Sequence, residues 1–334
     1  MGPLKKNKMN NYLRISLAAF AAVILSLASP ALFGQTYGSN GMVVSDNIIA
    51  SETGIDILKK GGNAIDAAVA TAFALAVTHP QAGNIGGGGF MVYMNSESEV
   101  TTIDFREKAP LAASSTMFQD ENGVLIKGSN HQGLKSVGVP GTVAGLYLAH
   151  QKYGSLPWPD LLQPSVDIAE NGFPMTGAQY NHALKTEAWP KSMDIMMDYF
   201  RNGDGALVKP GELWVQSALA HTLKAIRDEG HDGFYKGEVA EEIARYMKAN
   251  GGIITTEDLD KYTAIERAPI KGAYKGYDIY SMPPPSSGGV ALVEMMNLME
   301  LADLDAMEFH STEHVHLMTE AMRRAFADRA EHLG

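Results

Sequence analysis

Gly61-Gly62-Asn63-Ala64-Ile65-Asp66-Ala67-Ala68-Val69-Ala70-Thr71-Ala72-Phe73-Ala74-Leu75-Ala76-Val77-Thr78-His79-Pro80 is the stretch that decides how this chain must fold. From Ala64 to Val77 nearly every residue is Ala, Val, Ile, Leu or Phe, and Asp66 is the one acid. Asn63 is placed to cap such a helix and His79-Pro80 to stop it, because proline lacks the N–H that a helix needs. A helix that is apolar on every side has no face to give to water, so it belongs between layers. Upstream, Asn47 to Lys60 carries Ile48, Ile55 and Leu58 at helical spacing and runs into Gly61-Gly62, a C-cap signature. Downstream come Gly83-Asn84-Ile85-Gly86-Gly87-Gly88-Gly89, then Phe90 to Met94, a turn at Asn95-Ser96-Glu97-Ser98, and Val100 to Phe105. That pattern predicts an antiparallel hairpin. A phosphate loop runs from strand through glycines into helix; here the order is helix, glycines, strand, so the glycines are read as places of close backbone packing.

Farther along, Pro140-Gly141-Thr142 opens a helix that reaches about Tyr153 and ends at Gly154, and Trp158 to Asn171 forms another ending at Gly172. Gln216 to Glu229 and Glu238 to Asn250 are amphipathic. Tyr262 to Arg267 and Tyr274 to Ser281 are expected as strands joined through a turn. Pro283-Pro284-Pro285-Ser286-Ser287-Gly288-Gly289 is a rigid turn before a helix from about Val290 to Leu301, and a last helix covers Thr312 to His332. No long linker or internal repeat interrupts the series, which favours one compact α/β unit with antiparallel strands.

With 334 residues, 45% hydrophobic and 19% charged, the chain has the composition of a protein with a core and not of a disordered or multi-span membrane polymer. It has no cysteine, which excludes disulfides, thiolate metal sites and a Cys nucleophile. The N-terminus has a basic region (Lys5, Lys6, Lys8, Arg14), the apolar run Ile15 to Leu27, and small residues from Ala28 to Gly34. This is the layout of a secretory signal peptide, and the apolar run falls short of the roughly 20 residues that span a bilayer. Cleavage is expected after Ala31 or Gly34, leaving residues 35–334 as a soluble periplasmic or secreted protein with no stable membrane anchor. Net charge is −11, and because all the charges in residues 1–35 are basic, residues 36–334 are more acidic still. Nucleic acid is therefore not expected as a partner.

His310, His314 and His316 cluster, but no His-Glu-x-x-His order is present, and the segment reads as an ordinary helix start. Neither Gly-x-Ser-x-Gly nor Ser-x-x-Lys occurs. Phe105-Arg106-Glu107-Lys108-Ala109-Pro110 places Arg106 where a predicted strand ends, and its planar fork suits a carboxylate. Taken alone, an Arg beside a Glu is ordinarily a surface pair of little energetic weight.

Taken together, these segments resemble the large subunit of bacterial γ-glutamyltranspeptidases, or glutathione hydrolases. The matching stretches are Gly61 to Val69, Leu75 to Phe90, Ile103 to Pro110, Gly138 to Gly145, Tyr280 to Gly289 and Ala327-Asp328-Arg329, so the resemblance runs from about residue 40 to the end. It implies an α/β fold of the N-terminal-nucleophile hydrolase type, an αββα four-layer sandwich, which suits the buried helix and the hairpin. It also implies a zymogen that cuts itself before a Thr, whose freed α-amine serves as base for the Thr nucleophile. The implied substrates are γ-glutamyl amides such as glutathione, with water, amino acids or peptides as acceptors. No metal or organic cofactor is implied. By resemblance Arg106 holds the α-carboxylate of the γ-glutamyl group. Cephalosporin acylases, a related branch, take other acyl groups, and Phe105-Arg106-Glu107 argues for γ-glutamyl.

In this resemblance Gly334 lies inside the large subunit, before the cleavage site. The sandwich is therefore expected to be incomplete, the catalytic Thr to lie beyond Gly334, and the small subunit to be the missing partner. Thr312-Glu313-His314-Val315 echoes a Thr-x-His start, but the nineteen residues after Val315 are too few for a partner sheet. Thr78-His79-Pro80 matches an upstream family segment instead. The chain is thus expected to be either a portion of a γ-glutamyl-transferring enzyme, inactive by itself, or a non-catalytic remnant or periplasmic binding protein.

Overall fold

The computed structural model describes residues 37–186, 198–201, 203 and 205–333. The expected signal peptide, 1–34, lies outside them. The chain divides into residues 1–42, of which 37–42 carry no regular element, and a compact unit of residues 43–334.

In that unit, α1 (Ile48–Lys59) and α2 (Ala64–Thr78) are followed by the strands β1 (Phe90–Met94) and β2 (Val100–Asp104). Next come α3 (Thr142–Tyr153), α4 (Trp158–Asn171), β3 (Phe173–Pro174), α5 (Gly177–Thr186), β4 (Leu213–Trp214) and α6 (Ser217–Glu229). The remaining elements are α7 (Asp232–Tyr235), α8 (Gly237–Ala249), α9 (Thr256–Asp260), β5 (Ile265–Arg267), β6 (Ile270–Tyr274), β7 (Tyr277–Ser281), α10 (Gly288–Met299) and α11 (Thr312–His332).

The helix α2 is largely buried between layers, with Ile65, Ala67, Val69, Ala70, Phe73, Ala74 and Val77 all within a few per cent of full burial. The expectation of burial on every side is corrected by a narrow stripe at Ala64 and Ala68 that is exposed, which small alanines tolerate. It packs against α1, α3 and α4, and Phe73 meets Trp158 edge-on at 5.6 Å between ring centres. Both ends must be satisfied without water. At the N-terminus the Asn63 side chain accepts from the Ile65 and Asp66 amides, and Asp66 accepts in return from the Asn63 amide at 2.9 Å. Fully buried, Asp66 also accepts from the Ser155 hydroxyl at 2.5 Å and from the Ser155 and Leu156 amides. Burial pushes its pKa up, but these hydrogen bonds outweigh it and hold the carboxyl below its ordinary value. At the C-terminus three distant amide side chains finish the helix: Gln216 donates to the Val77 carbonyl, and Gln179 and Asn47 donate to that of Thr78. Helix α1 ends as Gly61-Gly62 suggests, with the Gly61 amide bonded to the Leu58 carbonyl and the Gly62 amide to that of Ile57.

The predicted hairpin forms, with Phe90 opposite Asp104 and Met94 opposite Val100. The expectation for the later strands needs correcting. Tyr262 is not in a strand; it comes just after the short helix α9, and β5 pairs with β2, giving a three-stranded sheet in the order β1-β2-β5. The segment from Tyr274 to Ser281 is half of a separate hairpin, β6-β7, with Lys275 and Gly276 in its turn at positive φ. An isolated run of β-prone residues cannot reveal its partner, and here a strand more than 160 positions away wins the pairing.

The two faces of the three-stranded sheet differ. Met91, Tyr93, Thr101, Ile103 and Glu266 share one face by register, and Met91, Tyr93 and Ile103 join the helical core there. Tyr153 of α3 packs on Tyr93 at 5.0 Å, and Glu266 accepts from Thr101 at 2.8 Å and from both Lys152 and Tyr153. The opposite face carries Phe90, Val92, Met94, Val100, Thr102, Asp104, Ile265 and Arg267; of these Val92, Met94 and Ile265 are exposed, while Thr102 and Asp104 on the central strand are buried. Helices thus cover one side of the sheet, as in half of a layered sandwich.

Candidate active site

Arg106 stands two residues beyond the end of β2, exposed, at the rim of the sheet. Three elements hold its backbone. The Phe105 ring, 7% exposed, anchors the preceding residue in the core, lying where a Cβ on Gly145 of α3 would come within 2.1 Å of it. The Phe105 amide and carbonyl pair with the carbonyl and amide of Gly89, extending the ladder past the strand. A Cβ at Gly88 would fall 2.5 Å from the Phe105 carbonyl oxygen and 2.8 Å from the Glu107 nitrogen, so only glycine lets this loop lie against the rim. The glycine run is therefore a packing device, as the helix-to-strand order indicates. It also seats α3, because the Gly87 carbonyl accepts from the Gly141 and Thr142 amides at 2.7 and 3.1 Å.

Two buried side chains close on Arg106 itself. The Asp104 carboxylate accepts from the Arg106 amide at 3.1 Å through Oδ1 and from Arg267 Nε at 2.9 Å through Oδ2. The Tyr262 hydroxyl donates to the Arg106 carbonyl at 2.8 Å. Burial raises the Tyr262 phenol well above the usual tyrosine range, with the nearby Asp104 and Glu107 carboxylates adding to the effect, so it stays a donor. Its ring stacks on Tyr235 at 5.7 Å, and Lys108 Nζ lies 4.9 Å from its centre while donating to the Thr263 carbonyl. The guanidinium of Arg106, by contrast, has no hydrogen bond or ion pair among the described residues, and Glu107 does not pair with it.

Arg106 lines neither of two nearby cavities. One, of about 410 Å³, is walled by Ile85, Val137, Phe234, Val239 and Ile243 and adjoins the glycine loop at Gly86. The other, of about 550 Å³, lies on the far side of Tyr262, against Tyr147 and His231. Around Arg106 the site is an open surface. Neither candidate threonine stands ready as a nucleophile: Thr78 is fully buried and bonds the Ala74 carbonyl, and Thr312 is the exposed first residue of α11. The histidine cluster is a helix start, with Ser311 capping the His314 amide at 3.2 Å and His310 outside the helix at positive φ. No grouping of three or more metal-ligating side chains occurs among the described residues. Tyr262 and Asp104 carry no motif that would have singled them out; Asp104 lies two residues from an Arg already suspected, and Tyr262, 156 positions away, has no signal in the sequence.

The chain as a whole is similar to known proteins. The chain is 47% identical over 300 residues to a glutathione hydrolase proenzyme of Pseudomonas sp. (strain A14), covering 88% of this chain and 51% of the relative. It is 43% identical over 330 residues to the glutathione hydrolase proenzyme of Escherichia coli (strain K12), covering 96% and 56%. The crystal structure of Helicobacter pylori γ-glutamyltranspeptidase superposes with a TM-score of 0.85 at 44% identity, over 90% of this chain and 86% of that one. The chain spans about half the length of the curated relatives it matches. Its mixed α/β fold is that of the N-terminal-nucleophile hydrolases. The Gamma-glutamyltranspeptidase family model matches residues 50–334, and the chain belongs to that family.

Proposed function

We propose that this chain is the large-subunit portion of an exported enzyme that transfers or hydrolyses the γ-glutamyl group of amides such as glutathione, with Arg106 gripping the α-carboxylate of that group. The observation that carries the reading is the unspent Arg106 guanidinium on an immobilised strand end, in a chain of this family. A bidentate fork matches a carboxylate in both charge and geometry, which a lysine at the same place does not. The nucleophile in this reading is an N-terminal Thr released by self-cleavage. It is supplied by the half of the relatives that this chain does not span, which in this reading holds the end of the large subunit and the whole small subunit, and that half covers the exposed Val92, Met94 and Ile265. The acyl-enzyme then passes the γ-glutamyl group to water or to an amino acid or peptide.

The test is turnover of a γ-glutamyl anilide. The 334-residue chain alone is expected to give none. The same chain completed in frame with the rest of a family precursor, the end of the large subunit and the small subunit, is expected to give a steady rate that Arg106→Lys weakens through KM. Turnover by the chain alone, or an unchanged KM in Arg106→Lys, overturns the respective part. Tight binding of a ligand with no turnover in the completed protein would favour the binding-protein reading.

A further inference from the structure

We infer that Tyr262, together with Asp104, is a positioning residue for Arg106: the two grip the backbone on both sides of the Arg106 Cα and so aim its guanidinium at the substrate carboxylate. The inference rests on the reading of Arg106 as the carboxylate clamp. Its own basis is separate. A long, exposed arginine loses much of its affinity to side-chain and backbone freedom unless the chain beneath it is held. Here the amide nitrogen of Arg106 donates to Asp104 Oδ1 and its carbonyl oxygen accepts from the Tyr262 hydroxyl, while the guanidinium is left unspent. Both grips are buried, Asp104 at 7% and Tyr262 at 2% exposure, so each bond is made by a side chain largely withdrawn from water. Each is itself fixed, Asp104 by Arg267 and the Tyr262 ring by its stack on Tyr235.

Tyr262 arrives from the end of α9, 156 positions away in sequence. Its hydroxyl lies where a Cβ on Gly141 would come within 2.1 Å, so the start of α3 is packed onto the same contact. The helix N-terminus, the glycine loop and the clamp backbone are thereby held as one piece. Tyr262 does not touch the substrate in this scheme; it acts through Arg106.

The experiment uses the chain completed in frame with the rest of a family precursor and measures inhibition by L-glutamate and by γ-aminobutyrate, the same molecule without the α-carboxylate. Tyr262→Phe keeps the ring, its stack and the fold and removes only the donor. It is expected to weaken L-glutamate about five- to tenfold, as for loss of one net hydrogen bond, to raise KM for a γ-glutamyl anilide with kcat kept, and to leave γ-aminobutyrate unchanged. Equal weakening of both inhibitors, or of neither, overturns the positioning role while Arg106→Ala still discriminates between them. If Arg106→Ala itself fails to discriminate, the clamp reading falls and this inference falls with it. Arg267→Met, which frees Asp104 from its second partner, is expected to repeat the Tyr262→Phe pattern more weakly.

Discussion

The helical layer and its sheet, residues 48–267, and the C-terminal group of β6, β7, α10 and α11 are built from similar elements but are finished differently. In the first, α2 is buried on most of its surface, leaving only a narrow stripe at Ala64 and Ala68 exposed, and its end groups are satisfied by Asn63, Asp66, Ser155, Gln179 and Gln216. In the second, the buried apolar residues are Met282, Ala291, Ala321 and Ala325, while Leu301, Phe309 and Phe326 are 83%, 75% and 58% exposed. Large apolar side chains on the outside and small ones within are the reverse of a self-sufficient core. The difference teaches that one region carries its own stability and the other presents apolar surface that calls for a covering element. The open face of the β1-β2-β5 sheet belongs with the second kind.

The widest gap between the two regions should appear on truncating aromatics. Trp158→Ala removes a ring packed on Phe73 and Tyr147 and bonded to the Ile226 carbonyl, and is expected to cost about 3–5 kcal/mol by chemical denaturation. Phe326→Ala in α11 is expected to change the same measurement by less than about 0.5 kcal/mol. Equal losses at the two sites would erase the distinction. Next in size, Asp66→Ala strips acceptors from the Asn63, Ser155 and Leu156 amides at once and is expected to cost about 3 kcal/mol, read as a lowered midpoint at constant slope.

Acid should act on the two regions with opposite sign. Hydrogen bonds from Lys152 and then Tyr153 hold the Glu266 carboxyl down from 4.5 to about 2, against an opposing effect of burial. A folded-state pKa below the unfolded one gives stability that is present above pH 4.5 and is lost as pH falls toward 2. Glu266→Gln is expected to flatten that part of the profile. In the C-terminal group, Glu294 of α10 is pushed up, first by burial and then by the facing Asp328 of α11. Its contribution has the reverse form: present below the unfolded pKa and lost as pH rises through the folded one. Hydrogen exchange across α10 and α11 should therefore slow as pH is lowered from about 7 toward the ordinary glutamate value of 4.5, after correction for the intrinsic rate, and Glu294→Gln should remove the change. This last effect is expected to be the smallest, because both carboxylates have access to solvent.

Much of the local structure was legible in the residues. Helix ends obeyed caps that act within a few positions: Asn47, Asn63, Gly61-Gly62 and Gly154. The hairpin was legible because its two strands are neighbours joined by a turn. Arg106 was visible as a candidate only through the family pattern, since an Arg-Glu pair by itself has no distinguishing chemistry. The partner of β5 and the split of Tyr274 to Ser281 into half of another hairpin were not legible, because pairing is decided by contacts far apart in sequence.

The sequence by itself therefore determined the longer helices, the first hairpin, that most of α2 is buried, and the family, because these rest on short-range periodicity, capping and ordered motifs. Only the tertiary structure decided that β2 pairs with β5, that Gln179 and Gln216 finish α2, and that Asp104 and Tyr262 grip the backbone of Arg106. Each of these joins groups that are silent in their own neighbourhoods. They acquire a role only when packing brings a buried donor to an acceptor that water can no longer reach.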